Sequence, residues 1–257
     1  MNGAFYIGAT GLDAQQRALD VVANNIANVN TAAFKRSGIR FAELLMTPRT
    51  SDDVPIVPLD SSALMGGVSL AATPRVWTQG DLRQTTSPLD LAIDGAGFLE
   101  VMGPAGRTLL WRGGTLKVNE EGYLASPEGM TLKSMISVPQ GTTTLVIAPD
   151  GTVTATGGDG ADPQQIGRLD LVMVKDLDGL VQAGDGYYEA SDQGSVESVE
   201  AGQDGSGVFR QGAIEQANVQ LSDEMVMLLL LQRAYAASAQ VVQAGDQLMS
   251  ITNSLRR

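Results

Sequence analysis

Near the C-terminus Met227, Leu230, Ala234, Ala237, Val241, Ala244, Leu248, Ile251 and Leu255 recur in alternating steps of three and four. Among regular structures only an α-helix, at 3.6 residues per turn, gathers such positions into one stripe. With Ser222 as N-cap, and Asp223 and Glu224 opposing the helix dipole, the helix is expected from about 222 to 255. Arg256 and Arg257 then lie at the end where cations are favourable. At 1.5 Å per residue this is roughly 50 Å of helix, more than a small domain can cover on all sides. Leu228, Leu229, Leu231 and Tyr235 supply a second apolar face, and Ala234, Ala236, Ala237, Ser238, Ala239, Ala244 and Gly245 allow close helix approach. One solution is an intramolecular helical hairpin packed on the central domain. The other is packing against further copies of the chain, which two apolar faces favour.

The N-terminus carries a matching signal. Phe5, Gly8, Leu12, Gln15, Leu19, Val22, Ile26 and Val29 keep the same alternation, so a second amphipathic helix is expected there. Asn24, Asn25, Asn28 and Asn30, followed by Thr31, crowd its end. Asparagine amides compete for local backbone groups, so the helix should stop or bend in this region. These asparagines are expected to fix either helix register or the turn out of the helix.

Between the ends the pattern changes. Residues 47–75 hold Pro48, Pro55, Pro58 and Pro74 among Ser, Asp and Gly, which reads as an extended arm or linker. From about 76 to 215, short apolar or alternating runs are divided by turn signals, the mark of a β domain with hairpins. Leu89–Ile93 and Phe98–Met102 flank Asp94-Gly95-Ala96-Gly97. Leu145–Ala148 meets Pro149-Asp150-Gly151 and then Thr152–Thr154, and Leu169–Val174 is a further strand. The fold class is therefore α+β: long N- and C-terminal α-helices forming a coiled-coil terminal domain, with a mainly β central domain. The expected divisions are 1–36 (N-terminal helix), 37–75 (arm), 76–215 (β domain) and 216–257 (C-terminal helix).

Charge follows the same division. The net charge is −12, yet residues 1–46 carry four basic and three acidic side chains and residues 222–257 carry three of each. The excess acid thus lies in the middle, which repels phosphate and anionic lipid and argues against nucleic-acid or membrane-surface binding. No run of about 18 apolar residues is present, so no membrane insertion is expected. The start, Met1-Asn2-Gly3-Ala4-Phe5-Tyr6-Ile7, lacks a basic n-region and a cleavage site, so departure from the cytoplasm would need another route.

Catalytic chemistry finds little support. The chain has no cysteine and no histidine, which removes thiolate sites, the usual zinc ligand and the base of the Ser-His-Asp triad. Gly95-Ala96-Gly97 lies between strands and opens no helix, unlike a dinucleotide fingerprint. Asp176, Asp178 and Gly179 begin like a calcium loop, but Leu180 and Val181 occupy the next ligand positions, so a hairpin turn is expected. No catalytic, cofactor-binding or metal-binding set emerges. An adhesive or carbohydrate-binding β domain on a helical stalk would need exposed aromatics, and Trp77, Trp111 and a few tyrosines are what the sequence offers.

Four collinear blocks resemble the flagellar rod and hook family. Ala23-Asn24-Asn25-Ile26-Ala27-Asn28 with Thr31, Phe34 and Lys35 is similar to its N-terminal signature, with Ala33 where that family carries glycine. Gln79-Gly80-Asp81-Leu82 with Leu89–Phe98 resembles its core, Gln211–Val219 its strand before the last helix, and Gln232-Arg233-Ala234-Tyr235 its C-terminal signature. Leu110-Trp111-Arg112-Gly113-Gly114 departs from the family's Tyr-Thr-Arg pattern, a change expected to affect a strand edge and a subunit contact. The C-terminal signature and the insert at 47–75 look most like the distal rod type, with proximal rod and hook subunits as near relatives.

The resemblance implies a non-enzymatic subunit without cofactors that self-assembles into a hollow helical drive shaft, transmitting torque to the hook and passing exported subunits. It implies a place in the flagellar basal body, in the rod that spans periplasm to outer membrane, reached without a cleaved signal peptide. The implied partners are further copies, other rod and hook subunits, the L- and P-ring bushing proteins and the flagellar type III export apparatus. Leu12, Leu19, Val22, Ile26, Val29, Met227, Leu230, Ala234, Val241, Leu248 and Ile251 are the expected assembly seam.

Overall fold

The computed structural model describes residues 2–45, 65–158, 162–184 and 186–254, and the chain divides into two compact units. The class is α+β, with a mostly β central region and a helix at each end.

The helical unit contains α1 (Asn2–Ala27), α2 (Leu221–Ser254) and a two-stranded ladder. The helices run antiparallel: Gly8 lies against Val242, Gly11 against Ser238, and Asn25 against Glu224. Small residues make the approach close, since a methyl at Gly8 would stand 2.6 Å from Val242 Cγ2. Ala18, Val22 and Leu231 form the buried centre, with Leu19, Ile26, Ile39 and Leu228 packed around it. Helix α2 starts one residue earlier than its expected cap. The amides of Asp223 and Glu224 both donate to Gln220 O at 3.1 Å, so Gln220 rather than Ser222 supplies the first acceptor.

The expected arm contributes β1 (Arg40–Leu45) and β2 (Met65–Ala72), paired antiparallel with Phe41 opposite Leu70 and Glu43 opposite Val68. This ladder lies on α1, where Gly67 comes so near Thr10 that a side chain would have no room. Residues 46–64 of the arm lie outside the described residues.

The β unit takes residues 28–36 together with 77–218. Its strands are β3 (Leu82–Gln84), β4 (Asp90–Asp94), β5 (Leu99–Met102), β6 (Thr108–Trp111), β7 (Gly113–Thr115), β8 (Lys117–Val118) and β9 (Leu124–Ala125). There follow β10 (Thr142–Ile147), β11 (Thr152–Gly157), β12 (Gln164–Arg168), β13 (Leu171–Val174), β14 (Leu180–Gly184) and β15 (Tyr187–Ala190). β16 (Val196–Val199), β17 (Val208–Gln211) and β18 (Ala213–Glu215) complete the set. A four-stranded sheet orders them β14-β15-β6-β5, and three-stranded sheets run β10-β11-β12 and β17-β4-β7.

Successive residues of a strand face opposite ways, and the central sheet is buried on both. Leu99, Leu109, Trp111 and Tyr187 enter the main core, while Phe98, Leu110 and Tyr188 enter a second cluster with Val172, Val174 and Leu180. Burial on both faces explains why Leu109-Leu110-Trp111 reads as a continuous apolar run.

The Pro149-Asp150-Gly151 turn joins β10 to β11 as a hairpin, with Ile147 opposite Val153. Residues 176–179 turn the chain between β13 and β14, with Asp178 N donating to Asp176 Oδ1 at 3.1 Å, but this is not the expected hairpin, because β13 pairs with β16 and β14 with β15. The segment Asp94–Gly97 is not a hairpin, because β4 pairs with β17 and β7 whereas β5 pairs with β6. Gly95 and Gly97, at φ 119° and 127°, carry the chain between two sheets in conformations that suit glycine.

Candidate functional site: an exposed helix face and two buried polar anchors

Helix α2 presents two apolar stripes roughly 100° apart, the angle that one residue subtends at 3.6 per turn. The stripe through Leu228 and Leu231 packs on α1. The stripe through Met227, Leu230, Val241, Leu248 and Ile251 stays exposed, at 44%, 55%, 56%, 61% and 56%. Ala234 lies between the two at intermediate exposure. On α1 the expected seam behaves differently, for Val22 is buried and Leu12, Leu19 and Ile26 are half-buried. Val29 lies beyond the helix and lines a small cavity in the β unit with Asn30, Ala32 and Ile214. The structure therefore brings part of the N-terminal stripe onto the chain's own α2. Periodicity identifies a stripe but not its partner. Within Leu221–Ile251 an 18-residue window reaches a mean hydropathy of 1.4, so this helix is also long and apolar enough to cross a membrane by length and composition. Gln232, Arg233, Gln240, Gln243 and Asp246 interrupt the apolar residues, so the helix contains no continuous apolar run of that length.

The first polar anchor belongs to the helical unit. Asn25, 1% exposed on α1, treats the backbone of Ser37 as a neighbouring strand would. Its Nδ2 donates to Ser37 O at 2.9 Å, and its Oδ1 accepts from Ser37 N at 2.9 Å. The same Nδ2 lies 3.3 Å from Oε2 of Glu224, itself buried in the first turn of α2. A second polar contact crosses the helix pair where Gln15 Nε2 donates to Ser238 Oγ at 3.1 Å. Asn24 is exposed, while Asn28 Oδ1 accepts from Thr31 Oγ1 at 3.1 Å within the turn after α1.

The second anchor belongs to the β unit and centres on Glu215, at the end of β18 and 2% exposed. Its Oε1 accepts from Lys35 Nζ at 2.6 Å and from Gly80 N at 2.9 Å. Its Oε2 accepts from Arg112 Nε at 3.2 Å and Nη2 at 3.1 Å. Arg112 also donates to Gly97 O and Gly95 O, at 2.6 and 2.9 Å, and lies over the Phe98 ring. Lys35 Nζ reaches Thr78 O at 2.9 Å. Burial holds the Lys35 pKa below its ordinary value, outweighing the attraction of Glu215. The group comprises two buried cations and one carboxylate, joining segments that are far apart in sequence.

Backbone pairing extends this clasp. Ala33 N donates to Glu215 O at 2.8 Å, Asn218 Oδ1 accepts from Arg36 N at 2.7 Å, and Phe34 is buried beside them. Ala33 adopts φ 55°, the left-handed region that glycine enters without penalty. Sequence reasoning marked Lys35 and Phe34 only as signature residues and gave Glu215 no role. Its one signal is an acid in a strand otherwise bordered by apolar and amide residues.

On the C-terminal signature, Gln232 and Arg233 are exposed, and Tyr235 is 39% exposed. The Trp111 segment does not form a strand edge. β6 lies between β5 and β15, and Trp111 is buried and stacked on Tyr187 at 6.3 Å. Trp77 meets Phe98 and Tyr188 edge to face at 5.6 and 4.9 Å. Trp111 is thus buried in packing, while Trp77 is half-buried against its two aromatic neighbours. Among the described residues no group of three or more carboxylates is placed to hold a metal ion.

Comparison with known proteins agrees along the whole chain. Residues 5–35 match the family described as flagella basal body rod protein, residues 92–155 the flagellar hook protein FlgE/F/G D1 domain, and residues 210–255 the flagellar basal body rod FlgEFG protein C-terminal region. The flagellar basal-body rod protein FlgG of Caulobacter vibrioides is 33% identical over 98% of this chain and 99% of its own length. That of Agrobacterium fabrum is 34% identical over 97% and 98%. The rod protein FlgF of Caulobacter vibrioides is 33% identical over 96% and 95%.

Proposed function

Because the chain belongs to the flagellar basal-body rod family, we propose that it is a structural, non-catalytic subunit of the rod that works by packing against copies of itself. The observation that carries this reading is the exposed stripe of α2, from Met227 to Ile251, left over after the other stripe has packed on α1. Burying the remaining half of each such side chain contributes on the order of 1 kcal/mol. Association costs about 4–15 kcal/mol in lost freedom, so several stripes or neighbours must act together. A contact repeated with a fixed screw rotation yields an open helical filament, the form a rod requires. Within that filament the paired helices form the coiled-coil core, and the acidic β unit provides the outer surface. The distal rod type is the more favoured place, because relatives named FlgG from five bacterial species match the chain from end to end. Other rod and hook subunits, the ring proteins and the export apparatus are the partners that follow from this assignment.

Leu230→Asp tests the reading. It places a charge on the exposed stripe without entering either core, so the purified chain should keep its helix content and tryptophan fluorescence. Cells carrying it should assemble no rod, as seen in isolated basal bodies. Normal rods from this variant would remove α2's outer stripe from the assembly. Partition of the wild-type chain into lipid vesicles, with no self-association, would favour a membrane as the occupant of that face.

A further inference from the structure

The surface that α1 offers to α2 is unusually smooth. Gly8 and Gly11 are buried, and Ala14 and Ala18 are 1% and 0% exposed. Facing them are Ser238 and Val242. Interlocking of large side chains normally resists axial sliding, because each knob needs its own hole. A small-residue surface has shallow holes, and a slip of seven residues, about 10.5 Å at 1.5 Å per residue, returns the same faces to contact. The apolar pattern alone does not choose between these registers.

We propose that the register of the helix pair is set by its two polar contacts, Asn25 with Glu224 and Gln15 with Ser238, rather than by the apolar stripe. Both lie on the face between the helices, at opposite ends of the buried centre. Slipped one heptad, Asn25 would face Leu231 or a position before α2 begins, and Gln15 would be carried away from Ser238 to the neighbourhood of Leu231 or Gly245. Gln15 would then lose Ser238, and Asn25, which keeps its two bonds to Ser37, would lose Glu224, a penalty specific to the wrong register. Gln15 Oε1 already accepts no hydrogen bond and is shut off from solvent, so this site has no surplus partners to lend. The register matters beyond the pair because it fixes how far along α1 the outer stripe of α2 is presented. That consequence rests on the assembly reading; the register itself does not.

Cysteine trapping tests the inference directly, since the chain has no cysteine of its own. A Cβ built at Gly8 lies 3.9 Å from Val242 Cβ, within disulfide range. Gly8→Cys is paired with Val242→Cys for the native register, and with Tyr235→Cys or Met249→Cys for the two slipped ones. In the otherwise native chain only the 8–242 pair should oxidise. With Asn25→Leu and Gln15→Leu added, the slipped products should rise at least about tenfold relative to 8–242, while helix content is retained. Glu224→Gln keeps an acceptor for Asn25 and should oxidise only at 8–242. Exclusive 8–242 linkage in the double-leucine chain would overturn the proposal. Slipped linkage that appears only with loss of helix would overturn it too, because the contacts would then support stability and not choice of register. Sedimentation of the same variants reads assembly separately, so failure of the rod reading leaves the linkage result interpretable.

Discussion

Removing the negative charge of Glu215 should harm the β unit far more than removing the positive charge of Lys35, although the two form one ion pair. Glu215→Gln preserves volume and an acceptor for Gly80 N, so no cavity confuses the result. It removes the one negative charge that Lys35 and Arg112, 1% and 5% exposed, share at Glu215. Deleting one partner of a buried pair costs about 3–5 kcal/mol, a large part of the 5–15 kcal/mol typical of a domain. Lys35→Met instead neutralises a group whose burial penalty already exceeds its attraction to Glu215. Glu215 keeps both bonds from Arg112 and the one from Gly80, and the methionine fills the space of the lysine stem. The loss is then one hydrogen bond to Thr78 O and part of an ion pair, about 1 kcal/mol. Both tryptophans belong to the β unit, so urea unfolding followed by their fluorescence reads this unit. At about 2 kcal/mol per molar urea, Glu215→Gln should lower the midpoint by roughly 1.5–2.5 M and Lys35→Met by roughly 0.5 M. Equal shifts, or a larger one for Lys35→Met, would refute the picture of one carboxylate holding two buried cations.

Stability should also respond to alkali through Lys35. Its folded-state pKa lies below the 10.5 of the free side chain, so between those values the unfolded chain binds more protons. The contribution of Lys35 to stability therefore rises with pH across that window and is constant on either side. Denaturation midpoints measured towards pH 10.5 should show this rise in the native chain relative to Lys35→Met. Ala33→Gly should raise the midpoint, because a left-handed L-residue costs about 1–2 kcal/mol and the buried methyl returns only about 0.8. Gly80→Ala should do the opposite, by several kcal/mol as read from the same urea curves, because its Cβ would stand 2.0 Å from Gln216 O.

The helices were legible because the 3-4 spacing runs through the whole of both segments, and the β unit because turn signals interrupt short apolar runs. Strand partners were not legible. β4 and β5 are adjacent in sequence and look like a hairpin, yet β4 pairs with β17, more than a hundred residues away. Nothing local encodes such a pairing, which is decided by which faces complete the core. The β1–β2 ladder was hidden by the prolines between its strands, while the alternation that supports it lies in the flanks. The Glu215 clasp was invisible for a related reason. Lys35, Gly80, Arg112 and Glu215 come from four segments, and each of the three charged residues, taken alone, reads as an ordinary solvated residue. Only residues 33–36 hinted at it, through a signature that resemblance could recognise but spacing could not explain.

The two stripes of α2 show where periodicity reaches its limit. Both recur every three or four residues, and the stripe through Leu230 is the longer, so it reads as the principal seam. The chain nevertheless spends the stripe through Leu231 on its own α1. Polar atoms make the distinction: Glu224 and Ser238 flank Leu231 on that face and meet Asn25 and Gln15, giving the inner seam one preferred register. The outer stripe, from Met227 through Leu230, Val241 and Leu248 to Ile251, is built from apolar side chains, which discriminate weakly between axial offsets. On the assembly reading this asymmetry has a use. A subunit must first fold into one shape, which a polar seam enforces. It must then meet neighbours at more than one offset along a helical lattice, which an apolar stripe permits.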